Sequence, residues 1–280
     1  MSLSKRGQMR ASLVAPGGPL HGYFQSIKNE WRPDDTSGVC RLDIAESDLM
    51  HTELADLTSE QSFRTLTALG APTSVGGVNA SSSNRLLTSL ATLFNEQWSP
   101  KTPVLPSQII AGAGCSILIE YLVHAICDPG DVVLTPAPFW PVFSTLVSKA
   151  GVGISVLPCL PASHANSIQA SVVEELANIM TWTDATLQQW DSHVAQLLAA
   201  GKPPRALLLS NPLNPLGRCY SKSALTKAAE FCEKHDLLLI SDEVFALSMH
   251  ADALRSSWFS NSSAHGECYH AVVSVSAFAV

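Results

Sequence analysis

Ala206-Leu207-Leu208-Leu209-Ser210-Asn211-Pro212-Leu213-Asn214-Pro215-Leu216-Gly217 opens the stretch that decides the fold, and Leu237-Leu238-Leu239-Ile240-Ser241-Asp242-Glu243 closes it. Each apolar run has the length of a strand buried on both faces and is bounded by turn-forming residues. Between them, Ser221 to Lys234 carries Leu225, Ala228, Ala229, Phe231 and Cys232 at helical spacing on one face. A strand, a helix and a strand at this spacing make a βαβ unit, with parallel strands and a right-handed crossover.

The alternation repeats upstream. Gln108-Ile109-Ile110-Ala111 reads as a short strand, Gly112-Ala113-Gly114 as a tight turn, and Ser116 to Cys127 as a helix ended by Asp128-Pro129-Gly130. Val132 to Leu134 and Ile154 to Leu157 read as further strands, with Pro136, Pro138 and Pro141 marking the loop after the first. Leu86, Leu87, Leu90, Leu93 and Phe94 recur near helical spacing up to Trp98, and helical patterns occupy Val172–Met180 and Leu187–Ala200. Residues 1–60, with Pro16-Gly17-Gly18-Pro19 and Arg32-Pro33-Asp34-Asp35, look like an irregular arm. The class is α/β.

Composition narrows the function. The 280 residues are 46% hydrophobic and 15% charged, a globular balance. Seventeen Lys and Arg against 24 Asp and Glu give a net charge of −7, which argues against a nucleic-acid or anionic-membrane partner. Seven scattered cysteines without a C-x-x-C pair fit neither a disulfide framework nor a structural zinc site. Lys5, Arg6 and Arg10 are followed by no apolar signal core, and the longest nearly apolar stretch, Ala271 to Val280, is too short to span a bilayer. The reading is a reduced, cytoplasmic protein.

Ligands of open α/β sheets bind beyond the carboxyl ends of the strands. Three segments fall there: Gly112 to Ser116, Asn211 to Gly217, and Ser241-Asp242-Glu243. The first suits a phosphate through helix-start N–H groups, or is simply a turn. It does not fit G-x-G-x-x-G, and no G-K-[ST] occurs. Asp242 is either a solvent-facing or capping acid, or a carboxylate held in an apolar site for a cationic ring nitrogen. Glu243 reads as its solvated neighbour. The two Asn-Pro pairs make a rigid loop.

In combination these motifs resemble the fold-type I pyridoxal-phosphate enzymes, the class I/II aminotransferases, and among them the 1-aminocyclopropane-1-carboxylate synthase-like branch. N-P-x-N-P-x-G followed by a helix and S-D-E-[VI]-[FY] carries the likeness. Ala45-Glu46-Ser47-Asp48-Leu49, Asp128-Pro129-Gly130-Asp131 and Pro136-Ala137-Pro138-Phe139-Trp140-Pro141 are similar to other motifs of the branch, in the same order. The resemblance implies a three-layer fold with a mainly parallel central sheet, as a large domain over 61–280 after an N-terminal arm and partial small domain over 1–60. It implies pyridoxal 5′-phosphate as cofactor, with Gly114, Cys115 and Ser116 at the phosphate, Trp140 on the ring, Asn214 at O3′ and Asp242 at the ring nitrogen. Phe245 stands where the family usually has Tyr, which removes a second hydrogen bond to O3′. The tyrosine that usually reaches a neighbouring subunit has no counterpart in Val75 to Ser83. An amino acid is the implied small-molecule substrate and a homodimer the family's usual assembly.

The family's next motif is a strand followed by S-x-S-K, whose lysine forms the Schiff base. Here Ser274 and Ser276 match the serines, Ser274 falls at the phosphate, and Ala277 occupies the lysine position. Alanine is neither nucleophile nor base, so no residue inherits the catalytic role and the cofactor is held non-covalently at most. The later arginines, most of the C-terminal small domain and a strand that returns into the sheet are also unmatched. The expectation is a C-terminally truncated large domain with exposed strand edges. A truncated gene product and a short protein that has lost catalysis both give this pattern, and the abrupt ending favours the first. The function expected is that of a pyridoxal-phosphate-binding, aminotransferase-like protein with negligible turnover. Transamination is the default chemistry and an aminocyclopropane-carboxylate-synthase-like elimination the alternative. A non-catalytic binding protein that keeps the fold is the rival from another class. A nucleotide-binding α/β protein comes third, weakened by the failed glycine motifs.

Overall fold

The computed structural model describes residues 31–40, 85–100, 102–159 and 179–246, the backbone of 272–275, and isolated residues between 8 and 55. The chain divides into two compact units, Met1–Ser83 and Asn84–Val280. In the first, Arg32 and Asp35 exchange backbone hydrogen bonds of 3.0 Å around Pro33-Asp34, and the Asp35 carboxylate accepts the Ser37 hydroxyl at 2.6 Å. The proline-punctuated arm folds here as a tight turn.

The second unit is built on parallel strands β1 (Val132–Pro136), β2 (Gly153–Leu157), β3 (Pro204–Ser210), β4 (Leu238–Asp242) and β5 (Val272–Val275). They pair in the order β2-β1-β3-β4-β5. Six of the seven residues of β3 are buried, as a strand covered on both faces requires. Alternate side chains separate two cores. Leu207 and Leu209 join Leu134, Leu157 and Leu239 on one face. Ala206 and Leu208 join Val133 and Ile240 on the other.

Helices cover both faces. On the first lie α4 (Asp184–Ala199) and α5 (Lys222–Lys234); on the second lie α2 (Cys115–Ile126) and α3 (Val142–Ser148). The result is an α/β arrangement, as the alternating pattern implies, with the three layers that the family resemblance implies. Ser221 caps α5 by accepting the Ala224 N–H at 3.1 Å, and Leu225, Ala228, Ala229, Phe231 and Cys232 are its buried face. Thr183 caps α4 in the same way, accepting the Thr186 N–H at 3.2 Å. The buried cysteines divide between the layers: Cys115 and Cys127 on the α2 side, Cys159 and Cys232 on the α4 side.

The amphipathic Leu86–Trp98 stretch forms α1 (Arg85–Trp98), but its innermost residues are Ala91, Phe94 and Trp98, while Leu86 is half exposed. Phe94 and Trp98 pack with Ala246, just beyond β4. The strand expected over Gln108–Ala111 does not form. Pro106 starts a 3-10 turn that ends at Gln108, whose side chain accepts the Leu105 N–H at 2.9 Å. Residues 109–111 then run extended with no ladder partner among the described residues, and Ile110 is 82% exposed. The seven-residue α3 follows Pro141 and was not apparent in the proline-rich stretch. The pattern at Val172–Met180 lies outside the described residues except for the last two, as do Ala45–Leu49 and Val75–Ser83. Among the described residues no helix is long and apolar enough to cross a membrane, and no cluster of His, Cys, Asp and Glu could hold a metal ion.

The α4 layer hinges on Trp190, fully buried, 4.7 Å from the Trp182 ring and 5.3 Å from Phe231, with its indole N–H donating to the Pro158 carbonyl at 2.8 Å. Trp190→Ala is expected to cost about 3–5 kcal/mol in urea unfolding, and Trp190→Phe clearly less.

Candidate functional site

The start of α2 is an open set of donors. Gly114 precedes the helix with φ +86°, a backbone setting natural to glycine, and offers no capping side chain. The first intrahelical bond runs from the Leu118 N–H to the Gly114 carbonyl at 3.3 Å. The N–H groups of Cys115, Ser116 and Ile117 therefore have no carbonyl a turn earlier to bond. Together with the helix dipole they favour an anion. Cys115 is buried, Ser116 half-buried and Gly114 exposed.

Asp242 ends β4 and is 4% exposed. Strand alternation puts it on the face of Ile240, toward α2. The charge of Asp242 is felt by Cys115, whose thiol is pushed up to about 12, first by burial and then by this carboxylate. Burial also pushes the Asp242 carboxyl up to about 6, a rise opposed by the Val244 N–H, which donates to Oδ1 at 3.2 Å. No cation among the described residues contributes to that balance. At neutral pH an ionised carboxylate thus lies buried with no counter-charge among the described residues, beside the electropositive start of a helix. A ligand with an anionic group at one end and a protonated nitrogen at the other matches both.

Asn214 is half-buried in the 211–220 loop. The neck of that loop is at Asn211, whose N–H donates to the Asp242 carbonyl at 2.9 Å and whose Oδ1 accepts the Tyr220 N–H at 3.0 Å. The structure thus joins Cys115, Asp242 and the Asn214 loop at one end of the sheet. Trp140 is half-buried on the same face, packed against the α2-side core, with its ring edge-on to Phe143 at 5.5 Å. Phe245 is half-buried in the turn after β4. Ser274 lies on β5 opposite Ser241 of β4. Ala277 lies outside the described residues.

Glu243 departs from its sequence reading. It is 2% exposed and accepts the Ser241 hydroxyl at 3.1 Å, because the chain turns inward after β4 instead of out to solvent. Sequence reasoning also passed over Asn211, although the repeated Asn-Pro pair was the available signal. Tyr220, fully buried beyond the loop, carried no signal.

The sequence profile of the family described as Aminotransferase class I and II matches residues 76–276, and the chain belongs to that family, whose members use pyridoxal phosphate. A probable aminotransferase, aclI, of Aspergillus oryzae is 29% identical over 250 residues, covering 88% of this chain and 52% of that protein. A probable inactive 1-aminocyclopropane-1-carboxylate synthase-like protein 2 of Mus musculus is 31% identical over 168 residues, 57% of this chain and 26% of its own. The fold matches a double mutant of Thermus thermophilus aspartate aminotransferase with a TM-score of 0.58 at 21% identity, over 87% of this chain and 53% of that one. The chain spans about half the length of the Aspergillus relative.

The carboxyl of Asp242 titrates about 6 in the folded chain against an ordinary 3.8. The folded state therefore binds the extra proton between these values, and stability falls as pH rises from about 4 through 6. Asp242→Asn should raise the unfolding free energy at pH 7 by about 2–3 kcal/mol and leave it little changed at pH 3.5, as measured by urea unfolding across that range.

Proposed function

We propose that the second unit binds pyridoxal 5′-phosphate non-covalently and receives an amino acid beside it, and that the 280-residue chain does not turn that substrate over. The observation that carries this reading is the buried carboxylate of Asp242, with no cation among the described residues to offset it, beside the donor-rich start of α2. A pyridinium N–H fits the first and a phosphate the second.

The backbone N–H groups of Cys115 and Ser116 would hold the phosphate, while Gly114, whose own N–H is turned back to the Gly112 carbonyl at 2.9 Å, would let it approach. Ser274 of β5 is assigned to the phosphate by the family resemblance alone. Trp140 would lie against the ring face and Asn214 would donate to the ring hydroxyl. Asp242 would keep the ring nitrogen protonated, and its own burial makes that pairing stronger than it would be in water. Phe245 can offer the ring apolar contact but no hydrogen bond. When bound, the cofactor supplies an electron sink for chemistry at an amino acid's α-carbon.

Ala277, at the position of the family's lysine, has no group to hold or move the substrate's α-proton, which supports the absence of turnover. Amino-group transfer is the family reaction to which the retained residues belong, with the synthase-type elimination as the alternative. A homodimer and a reducing, cytoplasmic setting complete the proposal; the free thiols of the described cysteines suit that setting.

Absorbance titration of the pure chain with pyridoxal phosphate should show saturable binding with the spectrum of the free aldehyde. At pH 7.5, Asp242→Asn should weaken it about tenfold. The affinity advantage of the native chain over this variant should shrink as pH falls through about 6, where Asp242 loses its charge. Amino-group transfer to a 2-oxo acid should stay at the rate given by free cofactor. Turnover above that rate, or equal affinity in the two chains, would overturn the proposal.

A further inference from the structure

The proposed ligand contacts use the second asparagine of the Asn-Pro repeat and leave the first without a task. Yet Asn211 is the more deeply placed of the two, 0% exposed, while Asn214 is half-buried. Its Oδ1 accepts the Tyr220 N–H at 3.0 Å, bridging nine residues. Its own N–H donates to the Asp242 carbonyl at 2.9 Å. One residue therefore ties the end of β3, the far end of the loop and the last residue of β4.

Between these ties the loop is closed on itself. Leu213 donates its N–H to the Arg218 carbonyl at 2.8 Å, and the Gly217 N–H returns to the Leu213 carbonyl at 2.7 Å. Beyond it Tyr220 is anchored, fully buried, with its ring 4.8 Å from Trp182. Asn214 rides on a loop whose two ends are clamped by the Asn211 side chain, and the same residue's backbone holds Asp242. Alanine would leave the Tyr220 N–H buried without an acceptor and free the far end of the loop.

We infer that Asn211 is a positioning residue that sets Asn214 at a fixed place relative to Asp242; the inference rests on the reading of this site as a pyridoxal-phosphate site. An asparagine that merely filled the core would alter stability alone. A positioning asparagine acts through Asn214, so its loss should matter only while Asn214 is present.

The test is equilibrium binding of pyridoxal phosphate to the 280-residue chain, native and as Asn211→Ala, Asn214→Ala and the double variant. Hydrogen exchange at the Tyr220 amide is read alongside. Asn211→Ala should weaken binding roughly three- to tenfold, the scale of one hydrogen bond. In the Asn214→Ala background the same change should cost less than about twofold. Tyr220 exchange should accelerate in Asn211→Ala and stay native in Asn214→Ala. Asn211→Asp, which keeps the acceptor, should restore the Tyr220 protection and most of the affinity, and it carries the test if Asn211→Ala does not fold. Additive losses, or native affinity in Asn211→Ala, overturn the positioning role and leave the site reading standing. No saturable binding by the native chain, or native affinity in Asn214→Ala, overturns the site reading and this inference with it.

Discussion

Ser210 stands opposite Asp242 in the parallel ladder of β3 and β4, and the next N–H, from Asn211, carries the ladder on to the Asp242 carbonyl at 2.9 Å. The positions of Asp242 and of the Asn211–Gly217 loop relative to each other depend on that register. A slip of one residue would turn the whole of β4 over. Asp242 would then point into the core of Trp182, Trp190 and Tyr220, and Ser241 would face the start of α2. The register is held by burial on both faces: Leu207 and Leu209 fit one core, Ala206 and Leu208 the other, and neither set fits the opposite side equally. The capped crossover helix α5 sets the length of chain between the two strands.

The site is built against the interests of stability, which is why it stands out from the fold around it. A carboxylate raised by burial and a helix start without a side-chain cap are both locally unfavourable. The surrounding layers offset them with two continuous apolar cores. Such local conflicts with good folding, gathered at one end of the sheet, mark the region on which the proposed function rests.

Much of this was readable before any coordinates. The region 206–240, with its strand, capped amphipathic helix and strand, has a pattern that admits few alternatives, and the structure follows it within a residue or two. Asp242 and the Asn-Pro loop were readable because each breaks its local pattern, an acid after an apolar run and prolines after a buried strand. Ile109 and Ile110 misled for the converse reason. Two β-branched residues favour extended backbone, and they adopt it, but a strand also needs a neighbour, which local sequence does not report. Glu243 and Asn211 failed in the same way. Whether an acid is solvated, or which of two asparagines is clamped inside, depends on partners distant in sequence or on how the chain turns.

The buried thiols have a use outside the chemistry of the site. Cys115 and Cys127 belong to the α2 layer, with thiols pushed up to about 12 and about 11; Cys159, pushed up to about 12, and Cys232, raised further still, belong to the α4 layer. Because only the thiolate reacts readily, each is silent toward alkylating reagents while its layer stays closed. The protein thus carries its own labels, two for each side of the sheet. The order in which alkylation reaches them would record which helical layer lifts away first when the chain opens.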